Sequence, residues 1–246
     1  GFFIALQGLL AVGAAYIVRL YIRSEGGVDE VGLYTAGFAI INTYVGLVFT
    51  AISSEYYPRL AGFCNDPDKF NQAVNQEIEI SLLLLGPIIL VFIVFANVAI
   101  ALLYSNKFLG IDGMLYWAIL GIFFKAPSWC LAFSFIAKGD TKAYFWSELT
   151  AMGISFLACY LLYYIQVWLI CRYRYGYRAF SSIWPLFFPN LILGIVCLCL
   201  VVFTSDFVRY GAGSLIVMVS LVLSYSGLDS RIGIRHILKS KFGKNE

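Results

Sequence analysis

The sequence predicts an all-α protein, a polytopic bundle of about seven transmembrane helices. Hydrophobic residues make up 61% of the 246 residues and charged residues only 13%, whereas soluble domains carry about 25% charged residues. The apolar residues gather in several runs, most of them long enough to cross a hydrocarbon core of about 30 Å as a helix. The low charge and the length of these runs together exclude an ordinary soluble fold.

Two spans open the chain, and we predict them at residues 2–22 and 31–60. Near the end of the first span, Arg19 and Arg23 lie one turn apart on one helix face. Two interpretations stay open for this pair. Both arginines snorkel to the membrane interface, or Arg19 contacts an anion inside a cavity.

The second span is apolar over residues 31–52 and then becomes charged. Glu55 and Arg59 lie one helical turn apart in its polar end, a spacing that favours an ion pair. We therefore predict a gate ion pair at the mouth of this helix. Asn42 lies within the apolar part, where it either hydrogen-bonds to another helix or contacts a substrate.

A helix-start pattern follows at residues 65–68, which read Asn-Asp-Pro-Asp. Such a pattern supplies a capping side chain and then proline and an acid in the first turn. From there to Glu79 the chain is polar and periodic, which predicts an amphipathic helix at the membrane interface. This helix runs into a third span, predicted at residues 80–104, which Pro87 is expected to kink.

The fourth span, predicted at residues 114–137, carries Lys125 beside Pro127. A lysine near the bilayer centre costs about 2.5–3.5 kcal/mol on insertion scales, so it faces the bundle interior or water. Pro127 frees a backbone carbonyl nearby. Two roles are open for Lys125: it binds a diphosphate or a sugar acid in a cavity, or it forms a structural ion pair with Glu148.

Residues 143–171 are apolar except for Glu148 and Gln166. About 29 residues are too few for two crossings of about 20 each, so we predict one span that is long or broken near Gly153. Glu148 is the second charge within the membrane. It pairs with Lys125, or it contacts the substrate and takes up protons, since burial raises the pKa of a carboxylate.

Two further transmembrane helices are predicted within residues 181–228, and a basic tail at residues 229–246. Because cytoplasmic segments collect lysine and arginine, we expect the tail to be cytoplasmic and to contact anionic lipid. One additional crossing between Lys142 and Arg172 would separate the basic residues between the two sides more cleanly. The charge distribution therefore indicates that a helix has been lost from this region.

The composition also limits the chemistry. The chain has one histidine, in the tail, and its six cysteines lack the spacing of a metal site or a disulfide framework. We therefore expect no metal and no cofactor. The net charge of +3 lies mostly in the tail, so it concerns lipid and orientation rather than nucleic acid.

Several ordered stretches carry a family resemblance. They read VGLYTAGFAIINTYVGLVFTAISSEYYPRL, VNQEIEISLLLLGPI, LLYSNKF, ILGIFFKAPSW and IAKGDTKAYFWSEL. Together they resemble the second half of bacterial O-antigen translocases, which are polysaccharide flippases of the multidrug/oligosaccharidyl-lipid/polysaccharide exporter superfamily. The resemblance covers about residues 2–180.

The resemblance implies that residues 1–180 form one lobe of a two-lobe transporter in the bacterial inner membrane. It implies alternating access to a central cavity and a substrate of oligosaccharide linked through pyrophosphate to undecaprenol, with no bond made or broken. The chain departs from the family in two ways. It starts at Gly1 inside an apolar run, so we expect a missing N-terminal lobe, and one family helix is expected to be missing between Glu148 and Gly153.

Two other functions remain as alternatives. A drug or small-solute exporter of the same superfamily shares the implied fold. A membrane glycosyltransferase or polymerase that acts on lipid-linked sugars would need acids, bases or a metal in sizeable loops outside the membrane. The loops of this chain are short, which favours a transporter over an enzyme.

Overall fold

A computed structural model describes residues 2–103, 108, 112–151 and 156–233. Within these residues the chain is all-α, as the sequence predicts, and five helices (α1, α2, α3, α6 and α7) are long and apolar enough to cross a membrane. The described helices are α1 (Phe2–Gly62), α2 (Pro67–Leu103), α3 (Asp112–Ala137), α4 (Thr141–Ala151), α5 (Phe156–Tyr175), α6 (Trp184–Phe203) and α7 (Asp206–Ile232).

Helix α1 folds back on itself at Gly27, where φ is 85° and ψ is −170°, a conformation that is open to glycine. The ring of Phe3 packs against Phe145 of α4 at 5.7 Å, while Cys64, just beyond α1, donates a hydrogen bond to the carbonyl of Ala137 at 3.0 Å. A straight helix of this length would span about 90 Å and would miss one of these contacts. The chain therefore turns between the first two predicted spans, and α1 forms two arms.

Helix α2 is the axis of the bundle and packs against α1, α3, α6 and α7. Its start is capped by Asp66, whose carboxylate accepts the backbone N–H of Lys69 at 3.1 Å; this bond and the Lys69 ammonium lower the pKa of Asp66. Pro87 lies inside the helix, and the helical dihedrals break at Phe95. The fully buried apolar side chains of α2 at the centre of the core include Val74, Leu82, Leu85, Ile89, Leu90, Ile93 and Ile100.

Helix α7 approaches α2 closely through small residues. A methyl group placed on Gly213 would lie 2.7 Å from the side chain of Val94, and one placed on Gly227 would lie 2.7 Å from that of Leu83. The buried face of α7 also carries Ser220 and Ser224. Small side chains let two helix backbones pack tightly inside a membrane.

Residues 143–171, predicted as a single span, belong to two helices that run in opposite directions. At one end, the hydroxyl of Tyr175 donates to Asp140 at 2.9 Å, and Arg174 forms an ion pair with the same carboxylate at 2.9 Å. Further along, Thr150 donates to Gln166 at 2.8 Å. From Asp140 to Thr150 the residue numbers rise, while those of their partners fall from Tyr175 to Gln166. Helices α4 and α5 therefore form an antiparallel hairpin.

This hairpin explains the charge distribution that the sequence showed. Helix α4 has 11 residues, which rise only about 16 Å, or half the hydrocarbon core. Helix α5 then returns the chain, so that Lys142 and Arg172 lie at the same end of the bundle. Residues 152–155, which include Gly153, lie outside the described residues.

We call this end the polar end. Helices α1, α3, α5 and α7 finish there, and α2, α4 and α6 begin there. Helix α7 continues to Ile232, into the stretch predicted as a tail. Residues 104–107 and residues 234–246, with most of the LLYSNKF motif and the basic side chains from Arg235 onward, lie outside the described residues.

Candidate functional site

A cavity of about 820 Å³ lies at the polar end. It opens between the last turns of α1, the first turns of α2, the connection from α5 to α6, and the end of α7. Its walls combine charged, amide, hydroxyl and apolar side chains. The lining residues are Ala51, Ile52, Glu55, Arg59, Gln76, Glu77, Glu79, Ile80, Phe180, Ser182, Arg231 and Ile232.

An ion pair joins α1 to α2 at the wall of the cavity. Nη2 of Arg59 lies 2.6 Å from Oε2 of Glu77, whose side chain is 7% exposed. The predicted pair of Arg59 with Glu55 is therefore not formed, although Glu55 lines the same cavity. The physical reason is that the buried Glu77 requires a compensating charge, whereas the exposed Glu55 is solvated by water.

A second ion pair joins α2 to α7. Nε of Arg231 lies 2.5 Å from Oε2 of Glu79, and the hydroxyl of Ser182 donates to Oε1 of the same carboxylate. Residues two apart on a helix point to nearly opposite sides. Glu77 therefore reaches α1 on one flank of α2, and Glu79 reaches α7 on the other.

The sequence did not predict this role for the start of α2. The polar, periodic residues up to Glu79 were interpreted as one face of an interfacial helix, yet Asn75, Glu77 and Glu79 are all buried in the bundle. The alternation of acidic and apolar residues over 77–80 contained the signal. An acid on each side of a helix indicates partners on both sides rather than a solvated face.

Asn75 fixes the connection that forms another wall. Its amide nitrogen donates to the carbonyl of Arg178 at 2.8 Å, and its amide oxygen accepts the hydroxyl of Tyr177 at 3.0 Å and the backbone N–H of Phe180 at 2.8 Å. Burial raises the pKa of Tyr177 well above its usual value, so this hydroxyl stays protonated as a donor. Phe180 is thereby held at the cavity wall.

Asn71, one turn before, adds a second clamp on the same connection. Its amide oxygen accepts the backbone N–H of Arg178 at 3.2 Å, and its amide nitrogen donates to the carbonyl of Gly176 at 3.4 Å. Gly176 has a φ of 67°, which glycine adopts without steric cost. Two asparagines at a spacing of four thus impose one backbone conformation on the loop.

The other predicted site residues lie away from this cavity. Arg19 and Asn42 are exposed, and neither lines it. Lys125 on α3 and Glu148 on α4 are half-buried and each makes an interaction in the structure. Neither lines the cavity, so the structure brings only Glu55 and Arg59 of the predicted set to this site.

A separate buried cation lies near the opposite end of the bundle. Arg209 of α7 donates from Nε to the carbonyl of Val94 at 3.1 Å and from Nη2 to the hydroxyl of Tyr116 at 2.7 Å, and Tyr116 donates to Asn97 at 3.1 Å. The helical dihedrals of α2 break at Phe95, which frees the carbonyl before it. Nothing in the sequence indicated this network.

Among the described residues, no group of three or more His, Cys, Asp or Glu side chains is placed to hold a metal ion. Of the described cysteines, Cys64, Cys130, Cys171, Cys197 and Cys199 are free thiols.

Comparison with known proteins adds one family. The model of a family described as polysaccharide biosynthesis protein matches residues 1–112. This part of the chain is similar to that family. It contains α1 and α2, which supply eight of the twelve residues that line the cavity. No curated protein and no solved structure matches the chain.

Proposed function

We propose that the protein is a flippase that moves an oligosaccharide, linked through pyrophosphate to undecaprenol, across the bacterial inner membrane by alternating access. One observation carries this proposal: the segment that matches a polysaccharide biosynthesis family builds most of a large polar cavity in an otherwise apolar bundle. The surface polysaccharide in question is an O-antigen or another repeat unit. No bond is made or broken in this function.

The cavity suits a sugar headgroup. Sugars present many hydroxyl groups, which lose hydrogen bonds to water unless the protein replaces them. Gln76, Ser182 and the carboxylates offer such partners, while Ile52 and Ile80 give the cavity an apolar side. The lipid chain of the substrate would remain in the bilayer beside the bundle.

The two ion pairs are suited to a change between open and closed states. Each pair joins α2 to a neighbouring helix at the polar end, Arg59–Glu77 to α1 and Arg231–Glu79 to α7. Both arginines are partly exposed, so water can solvate them when the pairs separate. Movement of the last turn of α1 or α7 away from α2 would widen the cavity mouth.

We also propose that the polar end faces the cytoplasm. The described basic residues at this end are Arg59, Lys69, Lys138, Lys142, Arg172, Arg174, Arg178 and Arg231, whereas Arg19 and Arg23, close to the turn at Gly27, and Arg209 lie toward the other end. Cytoplasmic loops carry this excess of basic residues. The cavity would then receive its substrate from the cytoplasmic leaflet and the tail would contact anionic lipid.

The roles predicted for Lys125, Glu148, Arg19 and Asn42 become proposals for a second part of the path. Helices α3 and α4, which carry the first two, pack against each other. A complete path would further involve the N-terminal lobe that the resemblance implies. In that arrangement the headgroup would leave the cavity at the polar end and pass Lys125 on its way to the opposite leaflet.

A translocation assay tests the function. The protein would be reconstituted in liposomes with a fluorescent undecaprenyl-diphosphate oligosaccharide, and a membrane-impermeant quencher would report transfer between leaflets. We expect transfer with the wild-type protein and loss of it with Ala51→Trp, which fills the cavity. The control is Val222→Trp, because Val222 is exposed on α7 and does not line the cavity.

Equal transfer by the Ala51→Trp and Val222→Trp proteins would contradict the use of this cavity. Efflux of a cationic dye without any transfer of the lipid-linked sugar would instead favour the drug exporter. Formation of a longer lipid-linked sugar in the same liposomes would favour the glycosyltransferase or polymerase.

A further inference from the structure

We infer that Arg59 binds the diphosphate of the substrate in the cavity, and that the diphosphate displaces Glu77, which takes up a proton from water as it loses its cation. This inference rests on the proposed function, since it concerns the same cavity and the same substrate. It deepens that function because it names the residue that binds the charged part of the headgroup and links binding to a proton. Lys125 and Glu148, for which these two roles were predicted, lie outside the cavity lining.

Arg59 is a cavity side chain with hydrogen-bonding capacity left over. Its Nη2 binds Oε2 of Glu77 at 2.6 Å, whereas its Nε is buried and has no hydrogen-bond partner among the described residues. Buried donors in proteins are normally satisfied. A guanidinium has five N–H donors in a planar fork, and this fork matches two oxygens of a phosphate. An incoming phosphate can therefore use donors of Arg59 that the protein leaves unpaired.

The charges of the lining require that a carboxylate be neutralised when an anion binds. Among the described lining residues, Glu55, Glu77 and Glu79 carry carboxylates, and Arg59 and Arg231 carry guanidinium groups. With all of them ionised, the lining has an excess negative charge and would repel a diphosphate diester, which is itself doubly negative. Uptake of one proton by a carboxylate brings the lining to charge balance, so that the guanidinium groups can attract the anion.

Glu77 is the carboxylate best placed to take up this proton. Its side chain is 7% exposed, and burial disfavours the charged form of a carboxyl group. Glu77 precedes residue 80, where the predicted span begins, and burial there raises its pKa to about 7, although the Arg59 guanidinium offsets part of the rise and Glu55 adds to it. The other titratable or charged side chains around it are Tyr56 on α1, Cys130 on α3, and Glu79 and Arg231 in the same lining.

The exchange of partners determines how binding depends on pH. When a phosphate takes Arg59, Glu77 loses the cation that held its pKa down, so this pKa rises above about 7 and the carboxylate takes up a proton. The bound state then holds more protons than the free state. Binding is therefore at full strength below about pH 7, where Glu77 is already protonated, and it weakens as the pH rises above that value.

The second arginine of the lining is held more firmly. Arg231 binds Oε2 of Glu79 at 2.5 Å and also donates from Nη1 to the carbonyl of Gly227 at 3.1 Å, and Glu79 accepts a further hydrogen bond from Ser182. In the described part of the chain, the Arg59 guanidinium and the Glu77 carboxylate bind only each other. We therefore assign the diphosphate to Arg59 rather than to Arg231.

A pair of soluble ligands tests the inference on the purified full chain. One is N-acetylglucosamine joined through diphosphate to citronellol, a short isoprenoid, and the other is the same compound without the diphosphate. The diphosphate diester keeps its charge at every pH used, so it does not titrate itself. Calorimetry measures the dissociation constants at about pH 6 and about pH 8.5, on either side of the Glu77 pKa. We expect the diphosphate ligand to bind about 10-fold or more tightly at the lower pH, and the other ligand to bind weakly and equally at both.

Proton uptake is measured on the wild-type protein and needs no variant. At about pH 8, calorimetry in buffers of different ionisation enthalpy should show close to one proton taken up for each diphosphate ligand bound. The ligand without the diphosphate should show no uptake, because it leaves the pair of Arg59 and Glu77 intact.

The variant Glu77→Gln identifies the group that takes up the proton. Glutamine has nearly the same shape and does not titrate, so we expect the variant at about pH 8.5 to bind the diphosphate ligand as tightly as the wild type does at about pH 6, without proton uptake. The control is Asp140→Asn, which changes a carboxylate in another ion pair at the polar end, outside the cavity lining. It should keep the wild-type pH dependence. Arg59→Gln should bind the two ligands equally.

A nucleotide sugar distinguishes the two sources of a sugar diphosphate. UDP-N-acetylglucosamine carries the same diphosphate and sugar without the isoprenoid. We expect it to bind more weakly, because the isoprenoid lies in the detergent beside the bundle as the lipid would in the membrane. Tighter binding of the nucleotide sugar would overturn the assignment of this site to a lipid-linked diphosphate.

Three results would each overturn the exchange at Arg59. They are equal binding of the diphosphate ligand by the wild-type protein at both pH values, equal binding of the two ligands, and proton uptake that persists in Glu77→Gln. If the lipid-linked sugar is translocated in any of these cases, the inference fails and the proposed function stands. If no ligand binds and no lipid-linked sugar is translocated, both fail.

Discussion

At the residue scale, the buried carboxylates of α2 determine which charges pair. Glu55 and Arg59 have the spacing of a local pair, and the sequence predicted one. Arg59 instead binds Glu77, since a buried carboxylate gains more from a cation than an exposed one does. This choice depends on burial, which the local sequence does not contain. The presence of both residues at one site was predictable, but their partners were not.

Removal of Arg231 should therefore be costly. Arg231→Met leaves Glu79 buried beside Ser182 without its cation, and we expect the free energy of unfolding to fall by about 2 kcal/mol, less than for a fully buried pair because Arg231 is partly exposed. Adding Glu79→Gln should recover part of this loss, since the neutral amide still accepts from Ser182. Denaturant unfolding in detergent measures both changes.

The matched control is Arg174→Met. Arg174 also binds a carboxylate, that of Asp140, but its side chain is 60% exposed. Exposed ion pairs contribute about 0–1 kcal/mol, so this variant should change stability little. A loss as large as that of Arg231→Met would show that burial does not set the strength of these pairs.

At the element scale, hydrophobic runs predicted where helices lie better than how the helices turn. The break of α1 at Gly27 falls in the polar stretch between the first two predicted spans, where charged residues and glycines interrupt the apolar sequence. The turn between α4 and α5 has no comparable cluster of charged residues and glycines in the sequence. The residues of the hairpin are apolar throughout, so length alone argued for one crossing, whereas side chains such as Asp140 and Thr150 bring the helices together.

Close packing of α7 on α2 gives a prediction at this scale. Gly213→Ala should destabilise the bundle by about 1–2 kcal/mol, because the added methyl meets the side chain of Val94 at 2.7 Å and forces a shift. Gly211→Ala is the control on the same helix, since nothing lies within 4 Å of its methyl position. Thermal unfolding in detergent would measure both variants.

The two substitutions are expected to change the stability of the protein in opposite directions. Alanine favours a helix by about 1 kcal/mol over glycine, so Gly211→Ala should be neutral or stabilising. Stabilisation by Gly213→Ala as well would mean that α2 and α7 are not packed closely at this point.

At the scale of the whole molecule, the hairpin sets the topology. Lys142 and Arg178 lie at the same end of the bundle, because α4 leaves the polar end and α5 returns to it. Single cysteines introduced at these exposed positions should therefore react with an impermeant maleimide from the same side of the membrane. The measurement compares intact spheroplasts with inside-out vesicles, and the unsubstituted protein gives the background from native cysteines.

A single crossing over residues 143–171, as length alone predicted, would give labelling from opposite sides. Labelling of both positions from the cytoplasmic side would also support the proposed orientation. The sequence contained this topology only indirectly, in the excess of basic residues on both sides of the region. The distribution of basic residues indicated that both ends of this region lie on the same side of the membrane. The side-chain pairs that form the cavity walls depend on tertiary contacts, which the distribution does not contain.

Direct contact between sugar and cavity is the central claim, and a photocrosslinking measurement tests it most directly. A lipid-linked oligosaccharide with a photoreactive group on its terminal sugar would be irradiated with the protein, and the labelled residues would be mapped by mass spectrometry. The account predicts labels on cavity residues such as Ala51 and Ile80, reduced by an excess of the same oligosaccharide without the photoreactive group. Labels confined to the lipid-exposed face of α7, around Val222, with none in the cavity, would contradict it.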